Sequence, residues 1–375
     1  MLNEDLRRPN VFEIDLGAVA HNLEQVRRAV GPATRIFAAL KADAYGFGLG
    51  PVAEVVAAGR GDAIAVADLA DAVALRARGI DLPILLYGGN LAGPAEIAAV
   101  ESHGLTPTIL DRASAAAYSA ALGRTLGVFV KVDVGLERLG AAPERAGELI
   151  DHIRGLPNLE LHGLYTHLDV PGGPDVEAYL SWQLGRYHRL CEELEGRGVE
   201  VPVKMVASSA VLRATAEANL DAVDPGHILF GLIPPGPARL DLDLKPAFRA
   251  LKSRLLHTRQ IDRSEFRDLA PIEIRDGLRI GVLPIGLRDG MASLTCGAVL
   301  VGGRRAAILG PLSLEHTRVD LTEVPAARVG DEVVIIGEQR GASITPAEVI
   351  EHRGLALQPA LAMAVRPSVR RRYLG

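Results

Sequence analysis

Lys41 and Tyr45 are the residues whose types and spacing most directly suggest chemistry. The apolar run at residues 36–40 is typical of a buried strand, and Gly46 opens a glycine-rich turn, so Lys41 should lie at the carboxyl end of that strand. Partial desolvation there lowers the pKa of a lysine, and the neutral amine can then attack an aldehyde to form a Schiff base. The alternative is a lysine that only carries its charge to solvent at a strand end.

A lysine can use this position only if neighbouring strands bring other groups to it. Apolar runs rich in β-branched residues alternate with amphipathic stretches and lie near residues 36–41, 63–68, 83–88, 106–111, 128–133, 161–167, 202–208 and 221–224. Eight successive βα units predict an α/β fold with a closed parallel (β/α)8 barrel, in which active sites form at the carboxyl ends of the strands. A doubly wound sheet fits less well, because the turn from Gly46 has no acidic residue at the ribose-binding position.

The pattern changes after the segment FGLIPPGPARLDLDLKP, where short strands and turns follow without a long helix. This change predicts a C-terminal all-β domain. We assign residues 12–235 to the barrel and residues 1–11 and 236–375 to the β domain, with a proline-rich linker at Pro234–Pro237. The strand in VFEIDL, which starts at Val11, is expected to join the β domain.

The bulk composition argues against several classes of function. Of 375 residues, 48% are apolar and 23% charged, and the net charge is −5, so affinity for nucleic acid or for anionic membranes is not expected. No apolar run is long enough to span a membrane, and the polar N-terminus does not resemble a signal peptide, so a cytoplasmic location is expected. The two cysteines, Cys191 and Cys296, provide neither a disulfide framework nor a metal-binding spacing.

The segment ALKADAYGFG around Lys41 resembles the cofactor-lysine motif of the alanine racemase family, in which a histidine usually occupies the position of Phe47. Further segments resemble the family in the same order over nearly the whole chain: IDLGAVAHNL from Ile14, VKVDVGLERLG from Val130, YTHL from Tyr165, ASSA from Ala207, VDPGHILFG from Val223, LKPAFRALKSR from Leu244, PIGLRDG from Pro284 and GDEVVIIG from Gly330. The resemblance implies an enzyme that carries pyridoxal 5′-phosphate as a Schiff base on Lys41 and racemises an amino acid. It also implies a homodimer, because in this family the β domain completes the partner's active site.

The resemblance also assigns roles at the strand ends. Tyr45 would donate its hydroxyl to the cofactor phosphate, although without the motif a packing aromatic would be the better interpretation. Ser208, Ser209, Gly226 and the backbone of His227, after the seventh and eighth strands, would form the rest of the phosphate site. The family generally has asparagine in place of Ser208.

Lys131, Asp133 and Arg138 lie at the end of the fifth predicted strand. In the family this lysine is often carbamylated and holds the arginine, whose planar guanidinium contacts the phenolic oxygen of the cofactor and the substrate carboxylate. Without the resemblance, an ion-pair network would explain the three residues equally well. His167 matches the histidine that stacks on the pyridine ring, and could otherwise be a capping or core histidine.

Two departures from the family bear on the reaction. Asp224 stands where alanine racemases have an arginine facing the pyridine nitrogen, and a carboxylate there would keep that nitrogen cationic and make the ring a stronger electron sink. Leu287 stands where the family has the tyrosine that acts as acid-base opposite the lysine, and leucine cannot move a proton. Arg288 and His316 are candidates to replace that tyrosine, although His316 could be an exposed turn residue.

The sequence therefore predicts a pyridoxal-phosphate-dependent amino-acid racemase with Lys41, Arg138 and His316 as catalytic residues. The two departures favour an alternative in which a single base acts, as in an aldolase, transferase, eliminase or decarboxylase for an amino acid. A third hypothesis is a carrier of the cofactor without catalysis, and the retained β domain argues against it.

Overall fold

The computed structural model describes residues 7–171, 173–262, 264, 272–355 and 359–375. The chain forms two compact units, one from Ala18 to Lys245 and one from Pro246 to Gly375 together with the N-terminal segment that ends at Gly17. The predicted domain boundaries after residues 11 and 235 stay a prediction, and residues 1–6 lie outside the described residues.

The first unit is a closed parallel barrel, which confirms the predicted architecture. Its strands are β2 Arg35–Ala39, β3 Ala63–Val66, β4 Ile84–Leu86, β5 Thr106–Ile109, β6 Leu126–Lys131, β7 Leu159–Tyr165, β8 Lys204–Ser208 and β9 Ala222–Asp224. The intervening helices and turns are α1 Leu16–Val30, α2 Lys41–Tyr45, α3 Leu49–Ala58, α4 Leu69–Ala77, α5 Pro94–Ser102, α6 Arg112–Ala121, α7 Pro143–Arg154, α8 Val176–Gly196 and α9 Ser209–Ala214. The last strand pairs with the first through Arg35 with Ala222 and Ile36 with Val223, which closes the barrel.

The barrel strands are short apolar runs because both of their faces are covered. All four residues of β3 are buried, as are the last four of β2. One hydrophobic cluster of this unit contains Phe37, Ala63, Ala65, Leu85, Phe129, Tyr165, Val203, Met205 and Ala222. Helices α4 and α6 begin where Asp68 and Asp111 accept hydrogen bonds from the first turn, as N-capping residues do.

The second unit is rich in β-structure. Its strands are β1 Val11–Asp15, β10 Phe248–Arg254, β11 His257–Gln260, β12 Arg279–Leu283, β13 Ala298–Val301, β14 Arg304–Ala307, β15 Thr317–Asp320, β16 Glu332–Gln339, β17 Ala342–Ile344 and β18 Arg370–Leu374. One sheet has the order β14-β13-β16-β10-β1-β18 with β17 paired to β16, and a three-stranded sheet has the order β11-β12-β15. The strand from Val11 pairs with β10 and β18, so it belongs to this unit.

The predicted C-terminal β domain is confirmed as a β-rich unit, and it also contains the short helices α10 Pro346–Arg353 and α11 Pro359–Ala364. Local signals explain α10. Thr345 caps it by accepting a hydrogen bond from Glu348, and Pro346 occupies its first position, where a missing amide hydrogen is tolerated. Within the described part of the chain, no helix combines the length and apolarity needed to cross a membrane.

Candidate active site

A cavity of about 210 Å³ lies at the carboxyl ends of the barrel strands. Five residues predicted from the sequence line it together, namely Lys41, Lys131, Arg138, His167 and Asp224. They come from the ends of different strands and the loops that follow, which is where (β/α)8 barrels carry their chemistry.

Lys41 lies two residues after strand β2 and reaches into this cavity. Burial lowers its pKa, the nearby Asp224 carboxylate opposes that change, and Arg138 adds to it. Its Nζ lies 5.8 Å from the centroid of the Tyr87 ring and 6.0 Å from that of Tyr45. The amine is therefore less protonated than an exposed lysine, as nucleophilic attack on an aldehyde requires.

The backbone after Lys41 forms a left-handed turn. Ala42, Asp43, Ala44 and Tyr45 have φ values between 52° and 56°, although none is glycine. Such a run costs roughly 1–2 kcal/mol per residue relative to a right-handed one and persists only where the surrounding structure stabilises it. One stabilising contact is the hydrogen bond from the Leu49 amide to the Asp43 carboxylate, at 2.8 Å.

The left-handed turn places Tyr45 against the segment that follows strand β9. Its ring centroid is 5.1 Å from that of His227, and a Cβ at Gly226 would lie 2.3 Å from its hydroxyl. The Ser209 hydroxyl accepts hydrogen bonds from the amides of Gly226 at 2.9 Å and Ile228 at 3.4 Å. Four of the five residues assigned to phosphate binding thus cluster, and residue 226 has room only for glycine.

The remaining member of that set, Ser208, ends strand β8 and precedes helix α9, and its side chain makes no capping hydrogen bond. Burial lowers the pKa of His227 to about 4, with a smaller contribution from Lys41. His227 is therefore neutral near pH 7, so its side chain adds no positive charge beside Tyr45.

Lys131 and Asp133 lie in different surroundings. Burial lowers the pKa of Lys131 to about 8, and its Nζ lies 4.8 Å from the centroid of the Tyr165 ring. Asp133 accepts hydrogen bonds from the amides of Gly135, Glu137 and Arg138. Burial alone would raise the pKa of Asp133, but these amides outweigh it and lower that pKa. Asp133 therefore organises the loop that carries Arg138, and the guanidinium of Arg138 lines the cavity.

His167 lies in the loop after strand β7. Burial lowers its pKa to about 3, and the cations Lys41, Lys131 and Arg138 contribute in the same direction. The imidazole is therefore neutral over the whole physiological range, as a ring that packs against an aromatic ligand without titrating should be.

Asp224 ends strand β9 and is only 7% exposed. Its Oδ2 accepts a hydrogen bond from the Tyr87 hydroxyl at 2.8 Å, whereas Oδ1 is buried without a hydrogen-bond partner among the described residues. Burial raises the pKa of Asp224 against the opposing effects of Tyr87, Lys41 and Lys131.

Tyr87 and Tyr165 line the cavity but were not among the residues predicted from the sequence. Tyr87 follows strand β4 directly and Tyr165 ends strand β7, so a search for polar residues at strand ends could have found them. The Tyr165 hydroxyl lies 3.1 Å from the Thr108 hydroxyl and accepts a hydrogen bond from the Gly88 amide at 3.3 Å.

The other predicted catalytic residue, His316, belongs to the β-rich unit. It is partly exposed, and its carbonyl accepts a hydrogen bond from Ser313. Leu287 is 42% exposed in the short 3-10 helix Leu287–Asp289. Arg288 donates to Glu315 at 2.7 Å, so the guanidinium proposed as a stand-in is already engaged.

Comparisons with known proteins match both units. The family described as "Alanine racemase, N-terminal domain" matches residues 14–234, and that described as "Alanine racemase, C-terminal domain" matches residues 250–373. The chain belongs to the alanine racemase family. Enzymes of the alanine racemase family use pyridoxal phosphate.

Individual relatives match over most of their length. The alanine racemase of Desulfovibrio desulfuricans is 37% identical over 354 residues, which cover 92% of this chain and 93% of the relative. That of Methanococcus maripaludis is 32% identical and covers 87% and 88%. Among solved structures, the alanine racemase of Clostridium difficile 630 has a TM-score of 0.88 at 26% identity, with 98% of this chain and 96% of that chain covered. The Bacillus anthracis alanine racemase with bound L-Ala-P also has a TM-score of 0.88, at 25% identity, with coverage of 99% and 96%.

Proposed function

We propose that this chain is a pyridoxal-phosphate-dependent amino-acid racemase. The observation that carries the proposal is Lys41, an amine whose pKa is lowered by burial, at the strand end of a barrel whose family uses this cofactor. Membership of the family supports the reaction class.

The described residues fit the cofactor. A buried carboxylate oxygen of Asp224 lacks a hydrogen-bond partner among them, which suits a ligand with a cationic N–H group. Because Gly226 has no side chain, the Tyr45 hydroxyl lies close to the backbone at this position, and a hydroxyl beside an accessible backbone suits a phosphate. We therefore propose that Lys41 holds the cofactor covalently, that Tyr45, Ser208, Ser209, Gly226 and His227 hold its phosphate, and that His167 packs on its ring.

Pyridoxal phosphate, when bound, supplies an electron sink that acidifies the Cα–H bond of an amino acid. Arg138 would orient the substrate carboxylate, and Lys131, in carbamylated form, would hold Arg138 in place. Lys41 would accept the Cα proton on one face of the substrate. A racemase must also deliver a proton on the opposite face, and His316 is the proposed donor because leucine at position 287 cannot supply one.

A second candidate function is one-base chemistry at Cα, which Asp224 and Leu287 favour. A carboxylate that keeps the ring nitrogen cationic strengthens the electron sink and opens cleavage, elimination, transfer or decarboxylation. The exposed Leu287 side chain offers no proton for the second face.

Hydrogen exchange at Cα in deuterium oxide should distinguish the two candidates. A racemase should exchange the Cα proton of D- and L-alanine and convert each enantiomer into the other, whereas a one-base enzyme should exchange it with retention of configuration. Proton NMR with chiral chromatography measures both, and Lys41→Ala is the control that should show neither. If no amino acid in a panel of D- and L-isomers exchanges its Cα proton, is cleaved or loses carbon dioxide, both candidates are contradicted.

We also propose that the protein is a homodimer, because in the alanine racemase family the β domain completes the partner's site. Two identical head-to-tail contacts would complete two sites at once. Sedimentation velocity at micromolar concentration should give twice the mass of one chain. A monomer at that concentration would contradict the proposed assembly and the proposed role of His316.

A further inference from the structure

Tyr87 is linked to the proposed cofactor site through a single hydrogen bond. It follows strand β4, and its hydroxyl donates to Oδ2 of Asp224, at the end of strand β9, at 2.8 Å. The two residues are 137 positions apart in the sequence, and they meet because the barrel is closed between its first and last strands.

The surroundings of Asp224 make this contact significant. The carboxylate is buried, and two lysines, Lys41 and Lys131, and two further phenols, Tyr45 and Tyr165, are close enough to interact with it. Among the described residues, Tyr87 is the side chain that donates a hydrogen bond to it. A buried carboxylate oxygen without a donor is costly, and the described residues provide none for Oδ1, so this oxygen is available to a bound ligand.

A phenol suits the opposite side of such a carboxylate. It donates one hydrogen bond and carries no charge, so it fixes the plane of the carboxylate without forming an ion pair with it. A hydrogen bond to the ionised form also favours that form over the neutral acid. An arginine at position 87 would compete with the ligand for the carboxylate, and a phenylalanine would remove the side-chain donor that the described residues give it.

We propose that Tyr87 is a positioning residue whose hydroxyl holds the Asp224 carboxylate, so that Oδ1 accepts a hydrogen bond from the cationic ring nitrogen of pyridoxal phosphate. The inference rests on the proposed function, and it extends that function by naming the residue that sets the electronic state of the ring. Tyr87 acts through Asp224 and needs no contact with the substrate.

The first test uses the cofactor-free protein. In a sample labelled with 13C at the aspartate carboxyl groups, the Asp224 signal is identified by its loss in Asp224→Asn. Its NMR titration should move to higher pH in Tyr87→Phe, since the hydrogen bond that favours the carboxylate is lost. The matched control is Tyr165→Phe, which removes a hydroxyl bonded to Thr108 and Gly88 in the same cavity and should leave the Asp224 titration in place. An unmoved titration in Tyr87→Phe, or an equal movement in the control, overturns the proposal.

A second variant keeps the shape of the side chain. Replacement of Tyr87 by 3-fluorotyrosine gives a more acidic phenol and a stronger donor, so the Asp224 titration should move to lower pH. This measurement tests the hydrogen bond from Tyr87 to Asp224 even if Tyr87→Phe does not fold. A titration that stays in place or moves to higher pH overturns the proposal.

The last test follows the ring nitrogen in the loaded protein. With pyridoxal phosphate labelled with 15N, the nitrogen signal should be that of a protonated pyridine in the wild type and shift towards the neutral form in both Tyr87→Phe and Asp224→Asn. Turnover in Tyr87→Phe should fall about tenfold or more, and the double variant should resemble Asp224→Asn, because the two residues act as one unit. A protein that takes up no cofactor overturns the proposed function, whereas an unchanged nitrogen signal in loaded Tyr87→Phe overturns only the role of Tyr87.

Discussion

Replacement of Lys41 by alanine should abolish the yellow colour of the loaded protein and its covalent labelling by borohydride. Lys41 would be both the attachment point of the cofactor and the base on one face, so turnover should fall by at least the roughly 10²- to 10⁴-fold that a positioned acid-base contributes. The lowered pKa of Lys41 leaves more of its amine neutral at neutral pH, which favours attachment of the cofactor. Visible absorption and peptide mass spectrometry after reduction measure the effect.

The matched control for Lys41→Ala is Lys131→Met. Both lysines line the same cavity, and burial lowers the pKa of both. Each variant therefore removes one buried amine from this cavity, and any effect of that removal alone should appear in both. Lys131→Met should keep the visible band and the reductive label on Lys41. Equal loss of the label in both variants, or a label found on Lys131, would show that the attachment residue is misassigned.

Replacement of Leu287 by tyrosine should raise alanine racemisation by a large part of the roughly 10² to 10⁴ that a positioned acid-base supplies, if the protein is a racemase that lacks its second base. Leu287 is exposed, so the larger side chain requires no repacking of the β-rich unit. If the protein uses one-base chemistry, racemisation should stay low in this variant, because Asp224 still favours cleavage, elimination, transfer or decarboxylation over racemisation. Chiral assays of wild type and variant with alanine measure the difference.

Leu256→Tyr is the control for this change. Leu256 is another exposed leucine of the same unit, at 52% exposure, and lies outside the PIGLRDG segment. It should leave racemisation at the wild-type rate. Strong racemisation by the unmodified protein would show that a tyrosine at position 287 is not needed. Another group, such as His316, would then supply the proton on the face opposite Lys41.

The barrel was predictable because its physical cause is local and repeated. Each strand is a short apolar run, such as Ala63–Val66, followed by an amphipathic helix, and eight repeats leave few other ways to bury the strands. The grouping of Lys41, Lys131 and Asp224 around one cavity follows from the same pattern, since each lies at or just beyond a strand end. Their chemical roles came from the resemblance to the family and stay predictions until they are tested.

Other features depend on contacts that no local pattern reports. The left-handed turn at Ala42–Tyr45 contains no glycine, so nothing in its composition predicts positive φ, and packing of Tyr45 against the segment after β9 accompanies it. The hydrogen bond between Tyr87 and Asp224 depends on how closely the closed barrel brings the ends of two strands that are far apart in the sequence. Helix α10 had a recognisable cap at Thr345, but it is too short for its periodicity to stand out.

Closure of the barrel by its first and last strands has a consequence for synthesis of the protein on the ribosome. Strand β2 pairs with β9 through Ile36 and Val223, so the edge that carries Lys41 finds its neighbour only when more than half of the chain has been made. Contacts of such long sequence separation form late and slow folding. During elongation Lys41 is present while Asp224 is not yet translated. The pair of opposite charges therefore forms at the end of barrel assembly, together with the burial that lowers the pKa of Lys41 against the opposing effect of Asp224.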